Sequence, residues 1–233
     1  MNLNSFFTGI RRAKHPPPEA LASAFTLLEL LAVLAVIGIL SAFIFPSFHA
    51  ARTAAQQAKT RLMFGQWGLA FEGFYQEYGY YPVLDESNLV NPAGQNIDPR
   101  TPHLFHDLLA ARRRDGTALP AYASGTSGWL PEAQNRKLIC FYSFVLADFT
   151  RDRAAGSNLL WDGSEHTDIA VLVDRNLDGV IQSGSDFMIL PAVNGLTPSL
   201  TDFPLVGVRA GVIFYAPAPG ATIANPQFIF SWK

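Results

Sequence analysis

The chain has 233 residues, 49% of them hydrophobic and 15% charged, with a formal net charge of −2 and one cysteine. That length can bury the core of one globular domain with an appendage. A near-neutral balance excludes the basic footprint of a nucleic-acid binder, and a single cysteine, Cys140, excludes an internal disulfide.

Residues 1–24 carry Arg11, Arg12 and Lys14, then "HPPPEALASA", and are predicted to be a leader outside the fold. An apolar run follows from Phe25 to Phe48. As a helix it measures about 36 Å at about 1.5 Å per residue, enough to cross a hydrocarbon core of about 30 Å. The small triplet Ala22-Ser23-Ala24 stands before this run, not after it, so cleavage there leaves the anchor on the mature chain. Arg52, Lys59 and Arg61 beyond the run balance the basic residues before it, so the positive-inside rule does not fix the orientation.

One carboxylate, Glu29, interrupts the run. An acid at membrane depth costs a few kcal/mol unless it is paired or reaches the headgroups. Two roles are open to it. Glu29 snorkels, or, if the chain is cut before Phe25, it meets the new α-ammonium of a neighbouring copy and pins the register between packed helices. The string "AFTLLELLAVLAVIGIL" after a basic leader resembles the class III signal of type IV pilins and type II secretion pseudopilins. The resemblance implies a membrane prepilin peptidase that cuts the Ala24–Phe25 bond, where the family usually has Gly before the cut, and methylates Phe25. It implies that Glu29 is required for assembly with related subunits on an inner-membrane platform. Gly38 and Pro46 also fall where such sequences often carry Gly and Pro. Pro46 removes an amide from the helix, which predicts a kink or a short unwound turn; in a filament, the resemblance implies, such a point lets the helix stretch.

From 49 to 80 the helical pattern continues, with one stripe of Ala51, Ala54, Ala58 and Leu62 and another of Met63, Trp67, Phe71, Phe74 and Tyr78. Gly79 suits the C-terminal cap, with Pro82 beyond it. Residues 83–165 predict loops around a short amphipathic helix, "HLFHDLLAARRRDG". His103 and His106 share its face; without a third ligand at a recognisable spacing they are taken as solvated or capping histidines rather than a metal pair. Arg112, Arg113 and Arg114 are taken as a solvated helix end. Cys140, within "LICFYSFVL", is taken as a small buried hydrophobe.

The C-terminal half predicts strands in "LICFYSFVLADF", "DIAVLVD", "DFMILPA", "VGVRAGVIFYAP" and "QFIFSWK", rich in β-branched and aromatic residues and joined by short turns. The expected fold is α+β: a long N-terminal helix, membrane-spanning in its first half, packed on an antiparallel sheet within residues 81–233, which is also the pilin architecture that the resemblance implies. Between two of these strands "DRNLDGVIQSGSD" sets Asp174, Asn176 and Asp178 at spacing two before Gly179, like the first half of a calcium loop. The Val180 carbonyl and Asp186 would complete the ligands, with Ser185 where a closing acid is expected; the alternative is a plain hairpin turn around Asp178-Gly179. The resemblance to pseudopilins, some of which hold calcium in a C-terminal loop, makes a structural ion the expectation to test.

No nucleophile elbow, zinc-protease helix or phosphate loop is present in the sequence. The expectation is therefore a structural subunit, not an enzyme: part of a type II secretion pseudopilus or type IV pilus-like filament, held in the inner membrane before assembly and in a periplasmic or cell-surface filament after it. The alternative is a single-span protein displaying a periplasmic ligand-binding or enzymatic domain.

Overall fold

The structure, a computed structural model, describes residues 26–84, 87–92, 102–150, 158–204 and 206–233. One long helix and a three-stranded antiparallel sheet make the fold α+β, and the chain divides into two units, Met1–Phe48 and His49–Lys233. Helix α1, Leu27–Tyr78, belongs to both. In the first unit it is long and apolar enough to cross a membrane, and its side chains from Leu27 to Leu40 are all exposed. The backbone stays helical through Pro46, so the lost amide opens no unwound turn there.

In the second unit α1 supplies Met63, Phe64, Trp67, Ala70, Phe71 and Phe74, three and four residues apart and all buried. It ends where Gly79 N–H donates to Tyr75 O at 2.7 Å. Against this stripe lies the sheet, β1 (Ala170–Val173), β2 (Val212–Pro217) and β3 (Phe228–Phe230), in that spatial order and antiparallel throughout. Val171 faces Phe214 across one pair and Tyr215 faces Phe230 across the other.

Strand alternation divides the apolar residues between two cores. Val171, Val173, Phe214, Ala216 and Ile229 join the α1 core, while Leu172, Ile213, Tyr215 and Phe230 join a second one with Ile181, Phe187, Val193 and Phe203. Every residue of β2 is buried, as expected of a central strand covered on both faces. Phe214 is the hub: its ring lies 5.5 Å from Phe64, 5.7 Å from Trp67 and 5.8 Å from Phe71. Such aromatic pairs add about 0.5–1.5 kcal/mol each beyond the area they bury.

Several expectations need correction. The stripe Ala51, Ala54, Ala58 and Leu62 is exposed; only the aromatic stripe packs, because its rings reach the sheet. "LICFYSFVLADF" is not a strand. Leu138 takes a left-handed backbone, the Phe141 and Tyr142 amides both donate to Leu109 O, and residues 146–148 form a 3₁₀ turn. Its rings serve as lids on the α1 core and its backbone follows them. Cys140 is exposed in this segment, with Sγ 3.4 Å from Tyr142 O. "DFMILPA" is likewise irregular, with Met188 and Ile189 exposed. The helix expected in "HLFHDLLAARRRDG" is shorter: α2 covers Leu104–Ala110 and is buried from Phe105 onward rather than amphipathic, because Ala111 turns left-handed and closes it.

Candidate functional site

At the start of α1, the Thr26 N–H and Oγ1–H both donate to Glu29 Oε2, at 2.8 and 2.9 Å, and the Glu29 N–H donates back to Thr26 Oγ1 at 3.2 Å. This reciprocal capping box satisfies donors that a helix end leaves open, and it sets a negative charge at the positive end of the helix dipole. Glu29 Oε1 takes no hydrogen bond from the described residues. Ala24 and Phe25 lie outside the described residues.

The loop after β1 gathers its polar side chains onto its own amides. Asp174 accepts from Asp178 N at 3.3 Å and Gly179 N at 2.7 Å, and Asn176 Oδ1 accepts from Asp178 N at 3.1 Å. Asp178 accepts from Val180 N at 2.8 Å and from Asn176 Nδ2 at 2.9 Å. Val180 thus meets the network through its N–H. Asp186 accepts from Arg175 N, Gln182 N and Ser185 Oγ, at 2.8, 2.9 and 2.8 Å, and so joins the two ends of the loop. Gly179, at φ +82°, supplies the left-handed turn. No hairpin flanks it: β1 pairs with β2, and Ile181 bridges Val208.

The residues named for calcium are therefore neighbours, and their oxygens turn toward the loop's own amides. Every carboxylate oxygen of Asp174, Asp178 and Asp186 already faces an N–H or O–H, and among the described residues no three His, Cys, Asp or Glu converge as metal ligands. The loop is a chain of Asx turns.

His103 and His106 are both buried, not solvated. His103 caps α2, with Nδ1 accepting from His106 N at 3.2 Å and Nε2 3.0 Å from Asn91 Oδ1. Both ring nitrogens are engaged, which leaves none for a metal. Burial, followed by the nearby Arg114 charge, pushes the His103 pKa well below the ordinary histidine value. His106 Nδ1 lies 2.9 Å from Asp107 Oδ1, and Arg113 Nη1 donates to Asp107 Oδ2 at 2.8 Å. The arginines are thus not simply a solvated helix end: they ride on the turn after α2, one of them tied to a fully buried acid.

No family model, curated protein or solved structure matches the chain.

The capping contact of Thr26 with Glu29 was not anticipated from the sequence. The signal was present as Thr26-Leu27-Leu28-Glu29, the S/T-x-x-E pattern of a capping box before an apolar run. Chemically, the box lets Glu29 stay charged at the head of an apolar helix with two donors already on one oxygen, which lowers the cost of holding it near hydrocarbon.

Proposed function

We propose that the chain is a structural subunit of a type II secretion pseudopilus or type IV pilus-like filament, with a pilin-like architecture, processed by a prepilin peptidase between Ala24 and Phe25. One observation carries this reading: Glu29 is the only ionisable side chain from Leu27 to Phe48, and it stands at the head of an exposed apolar helix with one carboxylate oxygen that no described residue engages. An apolar helix uncovered on every side needs lipid or other helices around it. Cleavage before Phe25 places an ammonium beside the capping box, and its counterpart on a staggered neighbour is the donor that Oε1 lacks. Insertion needs the apolar surface alone; assembly needs the Glu29 charge as well.

The experiment is substitution of Glu29 by Val, followed through insertion, cleavage and assembly. Glu29→Val is expected to insert and to lose its leader, since the neutral side chain makes the span cheaper to insert, but to be missing from sheared filaments when no native subunit is present. Normal incorporation of this variant contradicts the proposal. An anchor displaying an independent domain has no use for Glu29, and its surface activity would survive the substitution.

A further inference from the structure

The outer face of α1 in the second unit is apolar and exposed. Ala51, Ala55, Ala58, Leu62, Gly65 and Leu69 all lie open, Leu62 by 64% and Leu69 by 73%, while Thr60, Met63, Phe64, Trp67 and Phe71 on the opposite face are buried. The six open positions alternate in steps of four and three residues, which is the 3.5-residue repeat of a coiled-coil seam. At about 1.5 Å per residue the strip is about 27 Å long. No charged residue falls on it; Arg52, Lys59 and Arg61 stand to either side.

Gly65 points to what covers the strip. A glycine in a helix interior is less favourable than an alanine. A Cβ built on Gly65 would meet no atom within 4 Å, so nothing inside the chain calls for its absence. On an exposed face, between leucines and alanines, a glycine lets a second helix backbone approach closely.

We propose that two copies of the chain pair along this strip, parallel and in register. A second copy carries the same repeat at the same number of residues from the same apolar segment, so two chains inserted in one bilayer set their strips level and in one direction. The flanking charges select the same orientation. In a parallel pair Arg61 stands beside Gln66 of the other copy and Lys59 beside its Ala54, so no like charges are opposed. An antiparallel pair centred on the strip would oppose Lys59 to Lys59 and Arg61 to Arg61. The strip is short for a stable interface on its own, and confinement to one membrane supplies the effective concentration that it needs. The pairing face lies in the second unit, and the proposal does not depend on the filament reading.

The test is disulfide trapping of the full chain in its own membrane, with Cys140→Ser removing the native thiol and one new cysteine introduced at a time. Ala55→Cys and Leu69→Cys, toward the two ends of the strip, are each expected to give covalent dimers on mild oxidation. Ala50→Cys, also exposed but about 100° around the helix from Ala51, is expected to give several-fold less. Leu62→Arg added to Ala55→Cys is expected to remove the dimer, since it sets a charge at the centre of the strip. Absence of dimer from Ala55→Cys and Leu69→Cys, or equal dimer from all three positions, overturns the proposal. So does a dimer that survives Leu62→Arg, or one that forms only when Ala55→Cys and Leu69→Cys chains are mixed, which marks an antiparallel pair. The cross-link is expected to persist in Glu29→Val, so failure of the pair and failure of the filament reading are told apart. Its loss there would assign the contact to filament packing and overturn a separate pair.

Discussion

Gly163 N–H donates to Thr60 Oγ1 at 3.0 Å, joining residues 103 positions apart. The contact is closer than any side chain permits: a Cβ on Gly163 would lie 2.6 Å from Gln56 O and 2.8 Å from Thr60 N. Thr60 Oγ1 has Gln56 O at 3.1 Å and Asp162 Oδ2 at 3.3 Å as acceptors for its single proton. One buried hydroxyl thus fastens α1 to the loop before β1.

Gly163→Ala is expected to lower stability by about 1–3 kcal/mol, because the methyl must push the loop off the helix backbone. Thr60→Val keeps the volume but leaves the Gly163 amide without its acceptor and removes the hydroxyl donor to Asp162 Oδ2, at about 1–3 kcal/mol. Thermal melts of the full chain in neutral detergent check both. Melting temperatures equal to native would mean that the loop detaches without cost.

Acidification has a direction set by His103. Its folded-state pKa is lowered by burial, so the folded chain binds fewer protons than the unfolded one. Its stabilising contribution is full above the unfolded value of about 6.5 and is lost as pH falls below it. His166 acts oppositely: the Asp162 carboxylate beside it raises its pKa, so its contribution is full below about 6.5 and lost as pH rises through the folded value. His103→Asn keeps a capping oxygen and removes the titrating group, and is expected to flatten the fall in melting temperature between pH 7.5 and 5.5. His166→Gln is expected to leave that acid limb in place. An unaltered acid limb in His103→Asn would contradict the assignment.

The Asp174 loop is expected to hold without a cation. The full chain should melt at the same temperature in millimolar calcium and in chelator, while Asp174→Ala should lower it equally in both by exposing the amides of Asp178 and Gly179, at about 1–3 kcal/mol. A calcium-dependent rise that Asp174→Ala abolishes would restore Asp174, Asn176, Asp178, Val180 and Asp186 as ligands.

The extent to which this molecule was legible in its sequence differed by element. The apolar half of α1 and the aromatic stripe Met63, Trp67, Phe71 and Phe74 carry their own periodicity, and β1, β2 and β3 are short apolar runs between turn residues, so all were recoverable. Residues 138–149 have the same composition as a strand but spend their rings on the α1 core while the Phe141 and Tyr142 amides go to Leu109, a choice visible only in three dimensions. Gly163 gives no sign in sequence that it lies against Gln56 and Thr60. His103 shows a cap spacing, yet its burial depends on Asn91, which also accepts from Leu160 N. The calcium pattern was legible as spacing, whereas the direction of each oxygen, toward amides, was not.

Specificity at the processing site rests on side-chain size at position 24. Ala24→Gly is expected to be cleaved at least as well as the native chain and a bulky residue at 24 to leave the leader attached, which electrophoretic mobility reads directly. Identical mobility across all three would exclude a peptidase pocket that measures residue 24.

Mass spectrometry of the N-terminal peptide from chain purified out of its own membrane tests the filament account most directly. The expected result is a mature chain that begins at Phe25 with a methylated amine, leaving Thr26 and Glu29 at the head of α1. A terminus that is intact, or cut after Phe48 so that the apolar helix is lost, would contradict it.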